Sequence, residues 1–216
     1  MLTVRNLNVR TEINFGSINI LEDLNFELER GKSLGVVGES GCGKSIMALS
    51  IMGLLPDGII ASGEVVFGKN LLSLSERELC KIRGNQICMV FQEPMTALNP
   101  VLSIGYQVAE ILRLHKNLSR HQAEKEASKI LDRVGLPSQK FSRSIFPHQL
   151  SGGQRQRVVI AIAIACNPEL IIADEPTTSL DVTIQEQILN LISELVVEEK
   201  MALLLITHDL GIVAEN

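Results

Sequence analysis

The spacing of apolar side chains along this chain changes period several times, and each change marks an element. Leu2 to Val9 and Leu24 to Leu28 alternate apolar with polar residues, the period of half-buried strands, and Glu29-Arg30-Gly31-Lys32 turns the chain after the second. Ser33-Leu34-Gly35-Val36-Val37 is a short β-prone run, and Gly63-Glu64-Val65-Val66-Phe67-Gly68 reads as a further strand ended by a turn. Ile87 to Phe91, Leu170 to Ala173 and Met201 to Ile206 are instead continuously apolar, as strands buried on both faces require.

Between these runs the period becomes helical. Ile46-Met47-Ala48-Leu49 continues as a helix until Pro56 stops it, and Ser75-Glu76-Arg77-Glu78 is a capping box opening a short helix that ends at Gly84. A helix around Gln107 to Leu114 carries Val108, Ile111 and Leu112. A second capping box, Ser119-Arg120-His121-Gln122, precedes Ala123, Ala127, Ile130, Leu131 and Val134 on one face, with Gly135 and Pro137 as the stop. Asp181 is placed to cap a helix lined by Ile184, Ile188, Leu191, Ile192 and Leu195. The run Val158 to Cys166 reads either as a strand or as a helix starting near Ser151. These elements predict one domain of 216 residues, a β-containing core (about 1–92 and 166–216) with an all-helical lobe (about 93–165) inserted into it.

Composition narrows the field. A net charge of -5 leaves no basic footprint for nucleic acid. No apolar run reaches the eighteen or so residues of a membrane span, and the first residues lack a charged-then-apolar signal segment. Cys42, Cys80, Cys88 and Cys166 form no C-x-x-C pair and are expected to be reduced thiols. His115, His121 and His148 are isolated and receive no role.

The chemistry is concentrated at turns. Gly38-Glu39-Ser40-Gly41-Cys42-Gly43-Lys44-Ser45 fits G-x-x-x-x-G-K-[ST] between a strand and a helix that begins at about Ile46, the context a phosphate loop needs. Its backbone N–H groups can surround a phosphate chain, Lys44 reaches the terminal phosphates and Ser45 offers an oxygen to Mg2+. Asp174-Glu175 ends a buried strand, where Asp174 is the metal-side carboxylate and Glu175 the general-base candidate. Gln92 closes the strand from Ile87 and is a candidate for the metal-bound water; His208 closes the strand from Met201, within reach of a γ-phosphate if the sheet is parallel. If Leu150-Ser151-Gly152-Gly153-Gln154 opens a helix, the free N–H groups and Ser151 hydroxyl form a second anion site. Phe15 is an adenine-stacking candidate, or equally a hydrophobic plug.

Taken in order, the phosphate loop at 38–45, Gln92, the Leu150-Ser151-Gly152-Gly153-Gln154 signature, Asp174-Glu175, Ser179-Leu180-Asp181 and His208 resemble the ATPase subunits of ATP-binding cassette transporters over essentially the whole chain. The resemblance implies an α/β phosphate-loop NTPase core with a mostly parallel central sheet, an N-terminal antiparallel β-layer and an inserted helical subdomain. It implies that Ser151 opens a helix, and that ATP with Mg2+ is sandwiched between two such subunits, Lys44 and Glu175 from one chain and Ser151 and Gly153 from the other, with Gln154 and Asp181 among the nucleotide-site residues.

Stretches such as Phe91-Gln92-Glu93-Pro94-Met95-Thr96-Ala97-Leu98-Asn99-Pro100 and Phe146-Pro147-His148-Gln149 resemble the peptide and nickel importer branch. The implied partners are a second ATPase subunit, a membrane permease and, indirectly, an extracytoplasmic solute-binding protein, at the cytoplasmic face of a prokaryotic inner membrane. Two departures stand out: Phe15 replaces the family's usual Tyr, and the branch continues past the position of Asn216. The alternatives are a soluble cassette ATPase acting on nucleic acid or ribosomes, and a nucleotide-gated subunit that does not hydrolyse; intact Glu175 and His208 speak against the latter.

Overall fold

The computed structural model describes residues 1–13, 16–178 and 180–208. Strands β1 (Leu2–Ile13) and β2 (Gly16–Leu28) form a long hairpin that leads into β3 (Ser33–Val37) and helix α1 (Lys44–Met52). After α1 come β4 (Ile59–Phe67), the two-residue β5 (Lys69–Asn70), α2 (Glu76–Ile82) and β6 (Ile87–Val90). The helical stretch follows as α3 (Pro94–Ala97), α4 (Ile104–Lys116), α5 (Arg120–Arg133) and α6 (Gly152–Ile164). The described chain closes with β7 (Leu170–Asp174), α7 (Val182–Glu199) and β8 (Ala202–Thr207).

Two sheets result. One is antiparallel, in the order β2-β1-β4-β5; the other is parallel, in the order β3-β8-β7-β6. Side chains on the parallel strands alternate between two hydrophobic clusters, as the two-residue strand period demands. Ile87, Met89, Leu170, Ile172, Leu204 and Ile206 join the cluster shared with α1 and the antiparallel layer. Cys88, Val90, Ile171, Ala173, Leu203 and Leu205 join the cluster shared with α4 to α7. The continuous apolar runs in the sequence are therefore strands with both faces covered. Burial pushes the Cys88 thiol up to about 12, with neighbouring Cys166 adding to the effect, so Cys88 stays a protonated thiol; all four cysteines are free.

The ambiguous run from Val158 folds as helix α6, and Ser151 is its N-cap. The Ser151 Oγ accepts from the N–H of Gln154, and the Gln154 side chain accepts from the N–H of Ser151, at 3.3 and 2.9 Å. The expected boxes at Ser75 and Ser119 are also formed. Several boundaries differ from expectation, those of the hairpin and of α4 most clearly. The hairpin strands are longer than the alternation suggested, because register shifts between Val4 and Arg10 break the pattern. At the bulge Asn6 and Asp23 both take positive φ (46°), and the Asn8 and Asn25 side chains satisfy the Asn6 and Asp23 backbone groups that the ladder leaves unpaired. Helix α4 begins earlier than Gln107, at a Ser103 cap, with Gly105 in its first turn because a Cβ there would stand 2.8 Å from the Arg143 carbonyl.

Gly63 on β4 is needed for similar reasons. Its φ is +104°, and an added Cβ would come within 2.3 Å of the Asn6 carbonyl oxygen, backbone that cannot step aside. Gly63→Ala is expected to destabilise the chain by at least about 2 kcal/mol, lowering the thermal midpoint by roughly 4–8 °C in a melt followed by circular dichroism.

Candidate functional site

Parallel pairing puts the carboxyl ends of β3, β8, β7 and β6 along one edge, so the residues that follow them are neighbours in space though far apart in sequence. The loop after β3 is the 38–45 turn. Gly43 takes φ 97° and caps α1, and a Cβ on it would meet Leu21 of the hairpin at 2.7 Å; no other residue lets the turn close onto the helix so tightly. Among the described contacts, Lys44 folds back on its own loop. Its Nζ donates to the carbonyls of Gly38 and Glu39 at 2.7 and 2.9 Å, and the side chain is 6 % exposed.

Asp174 is the last residue of β7 and is 5 % exposed. Burial raises its carboxyl above the ordinary range; a hydrogen bond from Ser45 opposes this, the Glu175 charge adds to it and Lys44 offsets it. Its Oδ1 is buried with no hydrogen-bond partner among the described residues. A desolvated carboxylate oxygen left bare is costly in a neutral fold, and it is what a cation-binding position looks like.

Glu175 follows in a left-handed backbone conformation, φ 45°, that non-glycine residues rarely occupy. The backbone N–H bonds to the Ile206 carbonyl at 2.9 Å, which holds it there against the strain. Its carboxylate is the centre of the cluster. Oε2 accepts from Gln92 Nε2 at 3.1 Å and from Thr178 Oγ1 at 3.0 Å, and His208 Nδ1 lies 3.5 Å away; Oε1 is 3.8 Å from Lys44 Nζ. Four of the candidates singled out in the sequence, Lys44, Gln92, Glu175 and His208, thus meet on one carboxylate. Thr178 belongs with them and was not singled out; the signal was a hydroxyl three residues after the Glu, on the turn that leads to Asp181.

Other candidates lie elsewhere or are occupied otherwise. Among the described residues, no hydrogen bond or ion pair joins Ser151–Gln154 or Asp181 to the 38–45 loop of the same chain. Ser151 is exposed at the start of α6, with the amide-rich end of the helix open to solvent. The Asp181 side chain caps α7, accepting from Ile184 N–H at 3.0 Å. Gly152 and Gly153 let α6 approach that segment closely, since Cβ atoms there would stand 3.2 Å from Leu180 and 2.6 Å from Ile184. Phe15 and Ser179 lie outside the described residues.

Comparison with known proteins bears on this geometry directly. The family described as ABC transporter matches residues 21–178, a stretch running from the hairpin through the phosphate loop and signature to Thr178. The chain belongs to the ABC transporter family. Among its relatives, the oligopeptide transport ATP-binding protein OppD of Haemophilus influenzae is 50% identical over 215 residues, which is 99% of this cassette and 67% of the relative. OppD of Escherichia coli is 48% identical over 99% of the cassette and 64% of the relative. The dipeptide transport ATP-binding protein DppD of Bacillus subtilis is 47% identical over 100% and 65%. The cassette therefore spans about two thirds of the length of the curated relatives it matches.

In structure it superposes with a TM-score of 0.85 on a dimeric ATP-binding cassette, MJ0796, in a post-hydrolysis state bound to ADP and Pi. The two are 32% identical, and the match covers 98% of this cassette and 90% of that chain. Another dimeric structure of MJ0796, a bacterial ABC transporter cassette, gives the same score at 31% identity, covering 99% and 90%. The fold is thus the phosphate-loop NTPase cassette that the sequence resembles, with both the parallel sheet and the antiparallel layer present.

Proposed function

We propose that this cassette is the ATP-hydrolysing subunit of a peptide importer, working as one of a pair with ATP held between two such subunits. The observation that carries the reading is the convergence of Lys44, Gln92, Glu175 and His208 at one sheet edge, beside the buried, unpartnered oxygen of Asp174. The peptide assignment follows the oligopeptide and dipeptide relatives, and the pairing follows the dimeric solved cassettes. On this reading Lys44 exchanges the Gly38 and Glu39 carbonyls for the terminal phosphates, and the loop N–H groups surround the chain. Ser45 and Asp174 are the residues that would hold Mg2+, with Gln92 able to reach its water; the ion supplies charge neutralisation on the phosphate oxygens. Glu175 takes a proton from the attacking water and His208 hydrogen-bonds the γ-phosphate. Ser151, Gly153 and the open end of α6 approach the phosphates held by the partner subunit.

No helix among the described residues is long and apolar enough to cross a membrane. On the reading drawn from the transport relatives, a permease supplies the pathway and the cassette works at its cytoplasmic face. The stretch from Gln92 through α3 and α4 is the route by which closure of the pair reaches that permease.

A sizing experiment tests the sandwich. Glu175→Gln with MgATP is expected to shift from monomer to dimer in multi-angle light scattering, whereas Glu175→Gln combined with Ser151→Arg stays monomeric, the bulky cation closing the anion-binding end of α6. Dimerisation undisturbed by the Ser151 change would remove Ser151 from the partner's site.

A further inference from the structure

Among the described residues four groups surround the Glu175 carboxylate, but they do not treat its two oxygens alike. Oε2 carries both hydrogen bonds, from Thr178 Oγ1 at 3.0 Å and Gln92 Nε2 at 3.1 Å. Among the described residues Oε1 accepts none, and Lys44 Nζ lies 3.8 Å from it. We propose that Thr178 is the positioning residue that holds Oε2 and thereby leaves Oε1 as the oxygen that receives the proton. The inference rests on Glu175 being the general base of the proposed hydrolysis.

The bond from Thr178 differs in kind from the one made by Gln92. Gln92 follows β6 and leads into the helical lobe, so its contact with Glu175 depends on the placement of that loop. Thr178 sits three residues after Glu175 on a turn closed by its own N–H to the Glu175 carbonyl at 3.2 Å. The same turn is braced from α7: Gln185 Nε2 donates to the carbonyls of Thr177 and Leu180 at 3.2 and 3.1 Å, and Leu180 N–H bonds to Thr177. Thr177 is buried and Thr178 half-buried, so the hydroxyl has few other orientations. A base on a strained left-handed residue needs such a local anchor, because the backbone alone leaves several side-chain rotamers open.

The step itself balances simply. The water O–H bond breaks and its proton goes to Oε1; the water oxygen bonds to the γ-phosphorus as the bond to the ADP oxygen breaks. ADP and Pi leave, and Glu175 returns its proton to solvent.

The test compares Thr178→Val, which keeps the shape and deletes the hydroxyl, with Thr178→Ser, which keeps the hydroxyl, in steady-state phosphate release by the full chain. Thr178→Val is expected to lower kcat about tenfold or more with KM for MgATP unchanged, as loss of a charge-assisted bond made to the reacting group predicts. Thr178→Ser should recover most of that loss. In a Glu175→Gln background, Thr178→Val should cost nothing further, because the base is already gone. If Thr178→Val fails to fold, Thr178→Ala set against Thr178→Ser makes the same comparison.

A kcat within twofold of the parent in Thr178→Val, or equal losses in the Ser and Val variants, would overturn the positioning role. An active Glu175→Gln single variant would instead overturn the base assignment on which it depends.

Discussion

Glu175→Gln is expected to bind MgATP at close to parental affinity and to hydrolyse it at least about a hundredfold more slowly, the range in which a positioned general base contributes. The substitution preserves volume and keeps an oxygen that can accept from Thr178 and Gln92, so the turn at 175–178 and the strained backbone at Glu175 have no reason to move. What disappears is the ability of the second oxygen to take a proton. Removing the carboxylate charge also relieves Lys44 of its neighbour at 3.8 Å, freeing the ammonium for phosphate, so affinity holds or rises. Single-turnover hydrolysis alongside equilibrium binding of a fluorescent ATP analogue separates the two effects. Turnover at the parental rate would take Glu175 out of the base role.

Lys44→Ala acts on the other side of the same contact. The lysine is nearly buried and spends two hydrogen bonds on the loop's own carbonyls, so its ammonium is already partly desolvated and set in place before any phosphate arrives. Its removal deletes the only side-chain cation of the 38–45 turn. Affinity for MgATP is expected to fall by roughly a hundredfold, the equivalent of about 3 kcal/mol for a charge-assisted bond to phosphate. Lys44→Met, which retains the aliphatic stem, should lose nearly as much; a melt of both variants then distinguishes lost charge from lost packing. Tight binding by both variants would contradict the role given to the loop.

Much of the site could be read in the sequence because its parts are tied to short-range rules. A glycine-rich turn ending in Lys44-Ser45 and carboxylates at the end of an apolar run each announce themselves within a few residues. The run from Val158 could not be settled locally, since its side chains suit a helix and a buried strand alike; the cap at Ser151 and packing against α3, α4, α5 and α7 decide it. The hairpin strands exceed what alternation shows because their bulge spends the Asn8 and Asn25 side chains on the backbone of Asn6 and Asp23, a polar run that in sequence looks like a loop. Helix α4 starts ahead of the apolar positions Val108, Ile111 and Leu112 that mark it in sequence, and the glycine in its first turn, Gly105, is dictated by the Arg143 backbone far along the chain. Thr178 is not legible in the sequence for a different reason: a lone hydroxyl on a turn carries no pattern, and only the side-chain direction of Glu175 gives it meaning.

Alternation along β6, β7 and β8 makes the parallel sheet a bulkhead. Ile171 and Ile172 are joined by one peptide bond, yet the first is wedged among the helices and the second against α1 and the antiparallel layer. Shifts in the helical compartment can thus be absorbed by one set of side chains while the floor beneath the nucleotide turn rests on the other. A machine that must flex on one flank and grip on the other gains from having its rigid plate between them.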